Sequence, residues 1–184
     1  DESTRDSVGN YMGTTVIGRY LLSNENIGAG KRIFLGLGLL IPSDNTFGEN
    51  PNKLAADTLR HTHFTLSDGN YKAILELQYF NRTKKLFFFG STFRMDKSLK
   101  KSRAGYKVGN SFNYTGFAFL HHHKTLEYIS PFLMVSASHK TKDYWDSTGY
   151  AENSDGGSLK IGLGINREIG SFNIGFTMNR TVKT

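Results

Sequence analysis

In the stretch KRIFLGLGLLIP, residues 31–42, a branched aliphatic residue recurs at every second position from 33 to 41. In an extended chain Ile33, Leu35, Leu37, Leu39 and Ile41 share one face, and Arg32, Phe34, Gly36 and Gly38 share the other, because successive β side chains point to opposite sides. NYKAILELQYF (70–80) repeats the pattern, with Tyr71, Ala73, Leu75, Leu77 and Tyr79 against Lys72, Ile74, Glu76 and Gln78. SLKIGLGIN (158–166) sets Leu159, Ile161, Leu163 and Ile165 against Lys160, Gly162, Gly164 and Asn166. SFNIGFTMN (171–179) sets Phe172, Ile174, Phe176 and Met178 against Asn173, Gly175, Thr177 and Asn179. Tyr11–Leu22, Leu86–Arg94, Val108–Leu120 and Leu126–Ser138 alternate less cleanly but read as strands too. The total is about eight strands of roughly nine to thirteen residues, where globular strands average about five or six.

Long strands with one unbroken apolar face and one face of Gly, Asn, Thr, Lys and Glu are what a transmembrane β-barrel requires. Lipid meets the outside, the lumen is polar, and closure satisfies the backbone. A soluble ligand-binding barrel inverts the two faces, and alternation alone does not say which face is inside. The connections favour the membrane form. Ser23–Gly30, Asn81–Lys85, His121–Thr125 and Arg167–Ser171 are short. The connections 42–69, 95–107 and 139–158 are long and polar. Short turns at one end and long loops at the other is the outer-membrane arrangement, with the long loops extracellular. Tyr11, Tyr20, Tyr71, Tyr79 and Tyr128, close to strand ends, suit interfacial aromatic girdles. In the longest loop, Asn50 before Pro51 predicts a cap and first helical turn leading into NKLAADTL.

The expected fold is therefore all-β, an antiparallel transmembrane β-barrel in a single domain over residues 1–184. With the first connection periplasmic, the first strand starts and the eighth ends on the extracellular side. Closure then calls for further strands, about ten to twelve in all, because bacterial barrels have even counts and tolerate no open edge in lipid. The alternative is an inverted orientation in which the eight close alone.

Composition agrees. Twenty glycines, 14 Phe, nine Tyr and only three Pro suit β structure more than a helical bundle. No run approaches the ~18 apolar residues of a membrane helix, and DESTRDSVGN is too polar for a signal peptide. The absence of cysteine excludes disulfides and thiolate chemistry. The formal charge of +7 is scattered apart from KSLKKSR, Lys97 to Arg103. That run lacks the interleaved aromatics of a single-strand binder, so an exposed loop and no nucleic-acid partner are expected.

From Gly105 the chain reads GYKVGNSFNYTGFAFL, then LEYISPFLMVSASHK, then ENSDGGSLKIGLGINREIGSFNIGFTMNRTV; earlier it reads FLGLGLLIPSD. This order resembles outer-membrane transporters of the phenol-degradation (MetA-pathway) type, which are FadL/porin-like. A Gly-rich strand ends in Pro, a Pro lies within a later strand, and an Asn-Ser-Gly-Gly loop precedes Gly-rich hairpin strands. The similarity covers about two thirds of the chain, and here an Asp interrupts that loop, Asn153-Ser154-Asp155-Gly156-Gly157. It implies an outer-membrane barrel passing small, including hydrophobic, compounds, and carries over no catalytic residues.

The lumen-lining candidates are Arg32, Lys72, Glu76, Gln78, Ser111, Asn113, Lys160, Asn166 and Asn173. In an open pore they set the charge, Lys and Arg favouring anions; in a small barrel they form a hydrogen-bonded plug. Inward Phe34, Phe117 and Phe119 suggest filling or an apolar pathway. Histidine metal sites are not expected. Zinc at His61 and His63 would want a third or fourth ligand, for which Asp57 or Asp68 is nearest in sequence, but solvated loop residues are the expectation; His121–His123 occupy a turn at the opposite end. A barrel lipid hydrolase would draw on Ser136, Ser138, His139 and Asp143. The expectation is a non-enzymatic protein without cofactor, in the bacterial outer membrane, among outer-membrane lipids and lipopolysaccharide. The alternative is a structural barrel in a larger outer-membrane complex, contacting protein partners through Lys97–Arg103 and the loop around Trp145.

Overall fold

The computed structural model describes residues 13–25, 29–43, 67–83, 87–120, 130–169 and 172–183. Eight long strands, β1 (Thr14–Asn24), β2 (Gly30–Ile41), β3 (Lys72–Arg82), β4 (Phe87–Ser98), β6 (Ser111–Leu120), β7 (Ser130–Lys140), β10 (Gly156–Ile169) and β11 (Phe172–Lys183), form one sheet. Three two-residue strands, β5 (Tyr106–Lys107), β8 (Tyr144–Trp145) and β9 (Gly149–Tyr150), form another. The long strands follow sequence order, each antiparallel to the next. The fold is all-β, with no α-helix among the described residues. The eight strands do not close on themselves: β1 and β11 are the two edges. Closure by these eight alone, the inverted-orientation alternative, is not what the chain forms.

Strand limits moved where the alternation was weakest. β1 runs Thr14–Asn24 rather than Tyr11–Leu22, and β4 continues through Ser98, four residues beyond Arg94. β6 begins later than expected, at Ser111, and the described part of the strand expected over 126–138 runs from Ser130 to Lys140. The connection at 139–158 holds β8 and β9, and that at 95–107 holds the last residues of β4 and all of β5. These two long loops are folded together rather than loose. The predicted helix after Asn50 lies outside the described residues.

Register carries the two faces across all eight strands. On one face Leu35, Leu77, Phe93 and Tyr114 are successive cross-strand partners. On the other, Arg19, Gly36, Glu76, Arg94, Asn113, Ser138 and Ser158 form a continuous row. The first face is open: Leu37 is 61% exposed, Leu163 64% and Met178 71%. The second, the inner face, holds Glu76 at 5% exposure. The five central pairings keep one register throughout, whereas β1–β2 shifts at Leu21/Ser23 and β10–β11 at Leu159/Lys160.

Inner-face glycines make room for large neighbours. Adjacent strands lie about 4.8 Å apart, so residues two strands apart are separated by about 10 Å. Phe80 on β3 and Phe117 on β6 nevertheless bring their ring centroids to 6.2 Å, over Gly90 of β4. A Cβ at Gly90 would stand 2.7 Å from Phe80 and 2.8 Å from Phe117. Gly90→Val is therefore expected to destabilise the sheet by about 1–3 kcal/mol through overpacking. At Gly116, on the outer face, the three atoms nearest an added Cβ all belong to the Tyr114 side chain, whose exposed end can move aside, so Gly116→Ala should shift the urea midpoint little. Equal midpoints for the two variants would contradict this account.

Candidate functional site

The inner face has two zones. Towards the short turns lies an aromatic ladder. Phe34 meets Phe80 edge-on at 6.1 Å, Phe80 stacks on Phe88 at 6.3 Å, and Phe88 meets Phe117 at 5.7 Å. The series continues through Phe119, 5.4 Å from Phe117, to Phe132, 4.9 Å further on. These six rings cross five strands, β2 to β7, in the offset and edge-to-face arrangements that aromatic quadrupoles favour.

Towards the long loops the same face is ionic. Arg19 Nε donates to Glu76 Oε1 at 2.6 Å, reaching across β2 above Gly36, and Gln78 Nε2 donates to the same oxygen at 2.7 Å. Arg94, the cross-strand partner of Glu76, donates to Asp96 at 2.8 Å. Ser111 Oγ donates to the other oxygen of Asp96 at 3.4 Å. Further round, Thr115 faces Ser136 and the Ser138 and Ser158 hydroxyls meet at 2.8 Å. Glu76 thus accepts charge-assisted bonds at a site nearly closed to solvent, which keeps its buried carboxylate satisfied.

The eight residues other than Asn173 that were expected to line a lumen fall on this inner face by register. Glu76, Gln78 and Ser111 join the polar network. Asn113 stands between Arg94 and Ser138. Arg32 donates to Asn24 at 3.1 Å instead, and Lys72 pairs with Asp68 at 2.5 Å. Lys160 lies opposite Ser136, Asn166 opposite Ser130, and Asn173 opposite Glu168 in the backbone register. Arg19, Arg94 and Asp96, the other ions of the network, and Phe80, Phe88 and Phe132 of the ladder were not among the residues expected there. β4 opens with three consecutive phenylalanines, and β1 contains Val-Ile and Leu-Leu pairs. Neither has a phase that alternation alone can fix.

A cap sits at the long-loop end. Trp145, 4% exposed, packs against the Tyr106 ring at 4.5 Å. Buried Asp143 accepts hydrogen bonds from Tyr106 Oη at 2.8 Å, Gly109 N at 2.7 Å and Lys140 Nζ at 2.7 Å. Its own N–H donates to Ser154 Oγ at 2.8 Å. Fully buried Asn70 ties the cap to the sheet, accepting from Ser98 Oγ at 3.1 Å and Val108 N at 3.3 Å. Within the loop around Trp145 the tryptophan itself is the core of the cap, because its ring finds the Tyr106 ring as a partner within the chain.

Ser136 and Ser138 lie on the inner face and His139 on the outer, its ring stacked with Phe112 at 6.3 Å. Asp143 is engaged in the cap. Ser, His and Asp are therefore not assembled into the relay a hydrolase would need. His61, His63 and His121–His123 lie outside the described residues, as do Tyr11 and Tyr128. Among the described girdle candidates, Tyr20 and Tyr71 are exposed on the outer face and Tyr79 is half-buried there, its ring 6.0 Å from Phe89. Compared with protein-family models and with curated proteins, the chain matches none.

Proposed function

We propose that the sheet is part of the wall of a β-barrel in the bacterial outer membrane, a passive channel or transporter for small molecules, hydrophobic ones included. The observation that carries this reading is the inversion of the two faces. Large apolar side chains stand exposed along the outer side of every long strand, while ion pairs and hydroxyls occupy the inner side. In water such an outer face is unfavourable by about 25 cal/mol for every Å² of apolar surface left uncovered; in lipid it is the required one. An 11-residue strand rises about 36 Å, and a tilt of about 45° reduces that to about 25 Å, the height of an outer-membrane apolar band. Outer-membrane lipids and lipopolysaccharide are then its surroundings, with the cap at the long-loop, extracellular end. The resemblance to transporters of the phenol-degradation type points the same way.

Within this reading the zoned inner face is the path. The ladder offers apolar contact to a solute, and the ions set a charge preference. Arg19, Arg32, Arg94 and Lys160 outnumber Glu76 and Asp96 on the inner face, which favours anions. Full-length protein in planar bilayers should give discrete conductance steps. Glu76→Gln should move the reversal potential in a salt gradient further towards anion selectivity. Absence of conductance together with absence of solute flux into liposomes would sink the transport reading. It would leave a structural barrel within an outer-membrane assembly as the alternative.

A further inference from the structure

We propose that a cleft at the long-loop end binds a phosphate group, either free or carried on a lipid headgroup. The cleft, of about 250 Å³, is lined by Pro42, Ser43, Gly69, Tyr71, Lys100, Lys101 and Arg103. Two independent features point to an anion. Lys100 and Arg103 are exposed cations with no carboxylate partner among the described residues. The nearby acids are already engaged, Asp146 by Lys101 and Asp68 by Lys72. The second feature is Ser43. It is 2% exposed, yet its Oγ has no hydrogen-bond partner among the described residues.

A buried hydroxyl without a partner is unfavourable, and a ligand with an acceptor at that position would remove the penalty. An apolar ligand would leave the Ser43 hydroxyl unsatisfied, and a cation would be repelled by Lys100 and Arg103. A phosphate satisfies all of them: its oxygens accept from the Ser43 hydroxyl, from an ammonium and bidentately from the Arg103 guanidinium. The volume is several times the ~30 Å³ share of one water, so the group that carries the phosphate also has room. Tyr71 opens the outer face beside the cleft, at the end of β3 nearest the cap. Nothing in the proposal needs the sheet to cross a membrane, so its test is separate from that of transport.

Calorimetric titration of the full chain in a neutral detergent with inorganic phosphate should show saturable binding. Arg103→Gln combined with Lys100→Gln should weaken it by about tenfold or more, since hydrogen bonds to charged groups contribute about 1.5–3 kcal/mol each. Ser43→Ala should weaken it measurably, and Lys97→Gln, an exposed cation outside the cleft, should not. A second arm uses the protein in phosphatidylcholine nanodiscs with and without phosphatidic acid. Protection of the cleft amides from hydrogen exchange only with phosphatidic acid identifies a lipid headgroup; protection by inorganic phosphate alone identifies the free anion. No binding in either arm overturns the proposal. So does binding that Lys97→Gln weakens as much as the cleft variants, or that Ser43→Ala leaves unchanged.

Discussion

Leu77→Arg and Gln78→Arg, adjacent substitutions on β3, should have opposite fates. Leu77 faces outward at mid-strand and Gln78 inward beside Glu76. On the membrane reading, arginine at position 77 meets hydrocarbon and costs about 2–4 kcal/mol near the midplane. Arginine at position 78 faces the polar interior and stays close to Glu76, with a small expected effect. Folding into phospholipid vesicles, followed by urea titration, measures both. A sheet that lived in water would rank them the other way, because Leu77→Arg would relieve an exposed apolar position. A neutral or stabilising Leu77→Arg therefore rejects the membrane assignment without reference to transport.

The second large effect is expected at Asp143. Its carboxylate organises the cap through Tyr106, Gly109 and Lys140. Asp143→Ala removes three acceptor contacts at once and leaves the buried Tyr106 hydroxyl and the Gly109 N–H without that partner. Local destabilisation of about 3 kcal/mol or more is expected, since bonds to a charged acceptor are each worth about 1.5–3 kcal/mol. Trp145 is the only tryptophan in the chain, so its emission reports on the cap alone. It should shift to longer wavelength in Asp143→Ala while the β-sheet circular dichroism persists. Alkali should do the same to the parent protein. Burial first, and the bond to Asp143 second, push the Tyr106 phenol above its ordinary range. A folded value above the unfolded one favours the protonated folded form. The associated stability is complete below the ordinary phenol value of about 10 and is lost as pH rises beyond it. Tyr106→Phe should abolish that alkaline transition. A cap whose emission is unchanged in Asp143→Ala, or whose alkaline transition survives in Tyr106→Phe, would contradict this assignment.

The pattern of faces was legible in the sequence because it repeats with a period fixed by the backbone. In β2, β3, β10 and β11 one face carries an apolar residue at every second position over most of its length, so alternation alone puts Glu76 and Lys160 on the opposite face. Arg19 and Arg94 were not legible, since doublets in β1 and the triple phenylalanine of β4 hide the phase. The cap was illegible for a different reason. Its contacts join Asn70, Tyr106 and Asp143, residues far apart in sequence that carry no periodic signal. Likewise the glycines of β2 and β10 could be read as small inward residues. That Gly36 lies beneath the Arg19–Glu76 pair, and Gly90 between Phe80 and Phe117, depends on which strands are neighbours.

The two register shifts bear on where the sheet can adapt. From β2 to β10 each pairing fixes the next, because a slip of one residue would turn every side chain to the wrong side. That block has a single solution. In β1–β2 and β10–β11 an irregularity has already been admitted, and bulges re-aim a strand locally. Beyond the Arg19–Glu76 pair, which anchors the middle of β1, the outer strands can therefore change pitch, or accept a neighbour of different alignment, without disturbing any ion pair or ring contact between β3 and β7. Tolerance is thus concentrated at the margins of the sheet, and alignment is enforced at its centre.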